Sequence, residues 1–243
     1  MILIITNKQD SHPTPVIAYL QEQGCPVFRL NTEALLTDYD FSWWANANGT
    51  DFRIRNRRMG LEVQGHDVTA VWERRPELPT ELPVASCEEI DKHNREEAAG
   101  FLSFLLYYLG DRFCIGHHLY ERDAGSKMRQ LQVAQRLGMA VPDTCFSNRK
   151  ENIVAFAKAY SHVMLKSIED DNVWIDDEEE YVFYGRRVDA ATLPGVPEEA
   201  FTQTVSFVQE YVEKQFELRV TVVGRKVFAC KLDSQCLKED EGK

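Results

Sequence analysis

The first 31 residues constrain the fold more than any other stretch. "MILIIT" is a short apolar run, "VIAYLQEQG" has helical character, and "PVFRLN" is a second apolar run. Strand, helix and strand in that order read as the opening of an α/β unit, in which the helix buries its apolar stripe on the sheet. Gly24 is a suitable stop, because glycine accepts the left-handed conformation that closes a helix. Pro13 and Pro15 read as a loop ahead of that helix.

The pattern then changes. "FSWWANANGTDFRIR" reads as a hairpin: Asn48-Gly49 is a turn signal, and Phe52 and Ile54 alternate with Asp51, Arg53 and Arg55. "VTAVWERRP" is a further strand running into a loop, and residues 88–109 carry Phe101, Phe104, Leu105 and Tyr108 at helical spacing. A second block starts near residue 115. There Met128, Leu131, Ala134 and Leu137 share a helical face before Gly138. Asn148 and Glu151 stand at capping-box spacing ahead of Ile153, Phe156, Ala157 and Tyr160. "HVMLKSI" reads as a buried-type strand. "EDDNVWIDDEEEYVFYGRRV" reads as an acidic hairpin, with a helix near 198–204 after it.

Composition narrows the class. A chain of 243 residues, 44% apolar and 28% charged, has the balance of a folded globular protein. A net charge of −11 argues against nucleic-acid binding, which needs clustered Lys and Arg against the phosphate backbone. The six cysteines form no CxxC pair, so reduced thiols are expected rather than a zinc site or disulfide scaffold. "MILIIT" lacks a basic leader, and "FLSFLLYYLG" falls short of the ~20 apolar residues that cross a bilayer. A cytoplasmic protein that binds no membrane is expected.

Several residues could carry chemistry. In "ELRVTVV" the strand period puts Glu217, Arg219 and Thr221 on one face and Leu218, Val220 and Val222 on the other, expected to face the core. The polar face reads as an ion-paired sheet surface, or as a site where Arg219 takes phosphate or carboxylate and Glu217 takes ribose hydroxyls. Lys166 ends an apolar strand, where an ammonium is costly unless it reaches water or an anion. Lys127 begins a helix, against the helix dipole, and a nearby anion would account for it. "EDDNVWIDDEEE" is a solvated loop, or a docking surface with Trp174 as its apolar anchor. Arg74-Arg75-Pro76 reads as a surface turn able to bind an anion, and His117-His118 as structural. No GxGxxG, GxxxxGK[ST] or GxSxG motif occurs.

The order of these pieces carries more than any one of them. Lys127 before a helix, "GMAVPDT", Lys166 at a strand end, "QEYV", then "ELRVTVVGRKVFA" resembles the ATP-grasp ligases. "MILIITNKQDSHPTPVIAYL", "FRLNTE" and "AVWERRP" resemble the opening of one group among them, the maturases of graspetides, which are microviridin-type ribosomal peptides. The resemblance implies an ATP-grasp fold of mixed α/β and α+β character. Its parts would be a pre-ATP-grasp α/β domain over 1–114, a central domain with the acidic hairpin over 115–204, and an incomplete C-terminal ATP-grasp domain over 205–243.

It also implies roles. Lys127 and Lys166 would contact the ATP phosphates. Glu210, Tyr211 and Val212 would form the hinge facing adenine, with Glu217 on the ribose and the catalytic Arg219 on the triphosphate or acyl-phosphate. Trp174, Asp176 and Asp177 would dock a leader peptide. The implied reaction activates an Asp or Glu side chain of a precursor peptide and closes an ester or amide with its Thr, Ser or Lys. The partners are that peptide and a second copy in a homodimer; the cofactors are ATP and Mg2+. The family's magnesium ligands, an Asp and a later Glu-x-Asn, have no counterpart before "KLDSQCLKEDEGK", so the ligands are expected beyond residue 243 and the chain as given is expected to be inactive alone. A glycine-rich phosphate lid is not evident between 167 and 187. The alternatives are a ligase that appends amino acids to a protein or peptide, and a non-catalytic leader-binding module.

Overall fold

The structure is a computed structural model that describes residues 1–47, 49–168, 172–175, 179–182 and 185–233. The chain divides between Gly125 and Ser126 into two compact units.

The first unit is built on a parallel sheet of β1 (Ile2–Thr6), β2 (Val27–Asn31), β6 (Ala70–Glu73) and β7 (Phe113–Ile115), in the order β2-β1-β6-β7. Helix α1 (Pro13–Glu22) joins the first two strands. Its C-terminus closes as a Schellman motif: Gly24 sits at φ +73, its N–H donates to Gln21 O, and the Cys25 N–H donates to Leu20 O. The prolines expected in a preceding loop lie inside α1 instead. Pro13 takes its first position, where the missing N–H costs nothing because the first turn leaves its donors unpaired anyway. After β2 come the short helix α2 (Leu35–Asp38) and an antiparallel sheet of β3 (Tyr39–Asn46), β4 (Gly49–Asn56) and β5 (Glu62–Gln64). The 22-residue helix α3 (Glu88–Leu109) returns the chain to β7, and α4 (His118–Gly125) ends the unit. The parallel sheet thus runs past residue 114. Ala98, Leu102, Leu105 and Leu109 form one stripe of α3, and they share a core with Leu3, Ile5, Phe28, Leu30, Phe52, Ile54 and Val71.

The second unit opens with α5 (Lys127–Arg136), capped by Ser126, whose hydroxyl accepts from the Arg129 N–H. Its sheet is antiparallel, β12-β9-β13-β8, from β8 (Thr144–Ser147), β9 (His162–Lys166), β12 (Arg186–Asp189) and β13 (Ser206–Glu210). "GRRV" therefore belongs to this sheet as β12, not to the acidic hairpin, which is β10 (Asn172–Ile175) with β11 (Glu179–Val182). Helix α6 (Lys150–Ala157) covers one face of the sheet, where Ile153, Ala157, Val163, Val208, Leu193 and Phe201 of α7 (Glu198–Thr202) make the core. The capping box expected at Asn148 does not form. The helix begins one residue later, and Ser147 Oγ accepts from Arg149 N–H and Asn152 Nδ2 instead.

Two apolar faces are not buried, and that of β14 was expected to meet the core. No residue of α5 is buried, and Leu137 is 73% exposed. Strand β14 (Glu217–Val223) pairs with β15 (Lys226–Leu232) in a two-stranded sheet, and Leu218, Val220 and Val222 are 57%, 52% and 63% exposed. Periodicity identified the apolar side of each element correctly, but an apolar side is buried only where another element lies on it. Among the described residues, no helix is long and apolar enough to cross a membrane.

Two glycines of the first unit should respond oppositely to alanine. A Cβ on buried Gly65 would stand 2.8 Å from the Phe52 ring and press on Asp51 Oδ1, which already accepts from the Phe52 and His66 N–H groups. Neither neighbour has room to move, so Gly65→Ala should cost roughly 2–3 kcal/mol in denaturant unfolding. A Cβ on Gly100, within α3, meets nothing within 4 Å. Gly100→Ala should add about 0.5–1 kcal/mol.

Candidate functional site

The sheet of the second unit has two unlike faces, and the register decides which residues share each. Val208 of β13 stands between Leu165 and Cys145 on the side that α6 covers. Phe207 stands opposite Lys166 and Phe146, and Gln209 opposite Met164 and Thr144, on the other side. Lys166 is thereby fixed on the face away from α6 by the same alternation that buries Val163 beneath it.

The ammonium of Lys166 is met by a relay across three strands. Its Nζ donates to Gln209 Oε1 at 2.7 Å, Gln209 Nε2 donates to Thr144 Oγ1 at 2.9 Å, and that hydroxyl donates to Pro142 O at 2.9 Å. Gln209 is 5% exposed. Phe207 lies beneath the ammonium, its ring centroid 5.8 Å from Nζ, and stacks on Phe146 at 4.4 Å. Lys166 is exposed as a residue, but the packing around its ammonium and the nearby Lys127 and Lys214 push its pKa below the ordinary 10.5; loss of hydration is the largest cause, then the two neighbouring charges.

Three lysines therefore converge on one place. Lys127, first residue of α5, donates to Ser167 O just past the end of β9. Lys214, in the segment between β13 and β14, is paired with Glu217. Lys214 and Gln209 were not singled out from the sequence, although both lie in the "QEYVEK" segment. The signal that could have found Gln209 was its position two residues from Phe207 on a strand beside Lys166, which needs the strand pairing as well as the spacing.

The expected hinge lies where β13 ends. The Glu210 N–H donates to Asp143 O at 2.8 Å, and its carboxylate accepts from the Asp143 N–H at 3.2 Å. Tyr160 donates to the Asp143 carboxylate, and its hydroxyl is pushed up to about 12 by that bond, by partial burial and by the charges of Asp143 and Glu210. Tyr211 and Val212 follow past the ladder. The Tyr211 ring lies 4.6 Å from the Arg187 guanidinium, and Val212 is exposed. Glu217 and Arg219 share one face of β14, opposite Leu232 and Cys230, and Glu217 is drawn to Lys214. Trp174 sits on β10 opposite Glu180, whereas Asp176 and Asp177 lie outside the described residues.

The lysine cluster suits a phosphate chain. Gathering like charges is costly, and an anion offsets that cost while raising the depressed pKa of Lys166. Magnesium is another matter. Among the described residues, no group of three or more His, Cys, Asp or Glu is placed to hold a metal ion, so no step is assigned to one.

Comparison with known proteins is consistent with this geometry. Residues 1–121 match the family described as the MvdD pre-ATP grasp domain. Over 96% of this chain and 76% of the other, the fold superposes on the macrocyclase MdnC of Microcystis aeruginosa MRC, bound with precursor peptide MdnA, with a TM-score of 0.84 at 25% identity. A RiPP-associated ATP-grasp ligase of Chryseobacterium gregarium, in complex with ADP and a leader and core peptide, gives 0.84 at 25% identity over 98% and 70%. The macrocyclase MdnB of Microcystis aeruginosa MRC gives 0.75 at 22% over 96% and 75%. No curated protein sequence matches the chain.

Two outcomes test the lysine seat. Gln209→Leu removes the acceptor for Lys166 and the donor to Thr144, and should cost about 1–3 kcal/mol in unfolding while weakening the binding of inorganic triphosphate by calorimetry. Unchanged triphosphate affinity would separate Gln209 from the lysine seat. In a pH titration of the isotopically methylated protein, Lys166 should lose its proton below 10.5, and anion affinity should fall as pH rises through that transition.

Proposed function

Residues 1–121 match the MvdD pre-ATP grasp domain and the fold is that of ATP-grasp ligases, and from that premise we propose that the chain belongs to a ligase cross-linking a ribosomally made precursor peptide. The observation that carries the reading is the convergence of Lys127, Lys166 and Lys214, with Lys166 held by Gln209 rather than by a carboxylate. A carboxylate partner would cancel the charge that an incoming phosphate needs. An amide oxygen orients the ammonium and leaves its charge intact.

In the proposed reaction an Asp or Glu carboxylate of the peptide attacks the γ-phosphorus of ATP and ADP leaves. A Thr or Ser hydroxyl, or a Lys amine, then attacks the acyl carbon and inorganic phosphate leaves, closing an ester or amide with net loss of water. Charge grows on the transferring phosphoryl oxygens, and fixed cations there stabilise the transition state most. Lys127 and Lys166 are assigned to the phosphates and Arg219 to the transferring group. Glu210, Tyr211 and Val212 are assigned to adenine, and Glu217 to the ribose. The acidic hairpin, with Trp174, Asp176 and Asp177, is assigned to leader docking, in a cytoplasmic homodimer that uses ATP with magnesium.

With ATP, magnesium ion and a Thr- and Glu/Asp-rich precursor peptide carrying its leader, the protein should release ADP and lower the peptide mass by one water per bond. Lys166→Ala should abolish both. A gain of amino-acid mass would instead show an appending ligase, and peptide binding without ADP release would show a non-catalytic module. Charge reversal at Asp176 and Asp177 should weaken peptide affinity in calorimetry and leave ATP affinity unchanged.

A further inference from the structure

Arg74 and Arg75 are adjacent in sequence but differ in their surroundings. Arg74 is an internal brace: its Nε lies 3.1 Å from Oδ2 of the buried Asp10, which also accepts from Thr6 Oγ1 at 3.1 Å. The Arg75 side chain is exposed and has no hydrogen bond or ion pair among the described residues. Its backbone sits at φ +48, a conformation that glycine adopts freely and a side chain does not. A frame of polar contacts holds it there. Asn7 Nδ2 donates to the Arg75 carbonyl at 2.9 Å, Asn7 Oδ1 accepts from the Asp10 N–H at 2.8 Å, and Arg29 donates to the carbonyls of Asn7 and Asp10 at 2.6 and 3.0 Å. Strain retained at a charged, unpaired residue is a mark of use rather than of packing.

The location supports this. Arg75 follows β6 and the Asn7–His12 loop follows β1, at the C-terminal ends of neighbouring parallel strands. From β1 the chain goes by α1 to β2 on one side; from β6 it goes by α3 to β7 on the other. Open α/β sheets hold ligands at such a switch point. A cavity of about 320 Å³ opens there, lined by Gln9, Ser11, His12, Arg75, Pro76 and Glu77 above the Asn7–Asp10 frame.

Its chemistry excludes a phosphate cradle. Pro13 and Pro15 remove two N–H groups from the start of α1, the His12 N–H is taken by Asp10, and the Thr14 N–H by Ser11 O. Glu77 lines the cavity as well, and with Asp10 it keeps the local charge too balanced for a multiply charged anion. One free guanidinium beside amide, hydroxyl and imidazole groups fits a singly charged, planar carboxylate. We propose that this cavity is a carboxylate subsite that receives an acidic side chain of the peptide, with Arg75 as its recognition residue. The peptide as ligand rests on the cross-linking function proposed above; the preference for a carboxylate does not.

The test is amide NMR of the protein titrated separately with N-acetyl-L-glutamate N-methylamide, the matching glutamine compound and inorganic phosphate. The glutamate compound should shift the amides of Gln9, Ser11 and Glu77, and the other two should not. Arg75→Gly should lower that affinity at least tenfold while melting at the same or a higher temperature, because glycine relieves the backbone. Arg75→Asn, which also tolerates positive φ, should behave alike in binding. An equal response to glutamine, tighter binding of phosphate, or full affinity in either variant would overturn the subsite. Glutamate binding in a protein that cross-links no peptide would uphold the carboxylate site and remove the peptide from it. Normal cross-linking by Arg75→Gly would do the reverse, leaving the reaction standing and overturning the subsite.

Discussion

An ammonium at the end of a buried strand is the constraint around which the second unit is arranged. Lys166 shares β9 with Val163, which is wholly buried, and although the lysine itself is exposed, partial loss of hydration around its ammonium disfavours the protonated form. The sheet compensates through neighbours that only one register supplies. Gln209 must stand beside Lys166 on β13, Thr144 beside Gln209 on β8, and Phe207 beneath the ammonium. A slip of one residue on β13 would turn Gln209 into the face that α6 covers and bring Val208 to the charge. The apolar core on one side and the polar relay on the other therefore select the same pairing, which is how a short four-stranded sheet specifies itself.

The first unit contains the opposite case. Asp10 is a charge held away from water, and its shell is complete: Thr6, Arg74 and the backbone N–H and ring of His12 all meet it. Burial alone would raise its pKa, and these contacts more than offset that and leave it lowered. A satisfied charge of this kind is architecture, fixing the loops after β1 and β6. Lys166 differs because its pKa stays depressed and like charges surround it, so it gains when an anion arrives. The comparison separates a structural ion from one built to bind, using burial and partners alone.

Much of the fold was legible because local signals and tertiary packing agreed. The βαβ opening, the hairpin around Phe52 and Ile54, and the helix over 88–109 formed where hydrophobic spacing placed them. The failures share one cause. Pro13 and Pro15 read as loop residues because their helical position depends on a first turn that needs no donors. Asn148 makes no cap because the helix starts one residue later, with Arg149 at the N-cap, a difference that spacing cannot resolve. The apolar faces of α5 and β14 were read correctly, but whether a face is covered is a property of its neighbours. Lys166 and Lys127 were legible as misplaced cations, whereas Gln209 and Lys214 become informative only once the strands are paired.

Charge supply sharpens the functional argument. With 39 carboxylates to 28 Lys and Arg, the chain has an acidic partner to spare for every cation. Elsewhere it uses them: Lys8 meets Asp38 and Glu81, Arg57 meets Asp40, Arg58 meets Asp38 and Lys92 meets Glu96. Such exposed pairs contribute little to stability, so nothing compels a cation to be left out of them. Arg75 is left out nonetheless, by a strained backbone that four polar contacts enforce, and Lys166 is given an amide where a carboxylate would serve folding as well. In a protein this acidic, a cation without a carboxylate is costly for a negatively charged ligand to do without and cheap for it to find. The net charge keeps such ligands from settling elsewhere, and the exceptions set where they bind.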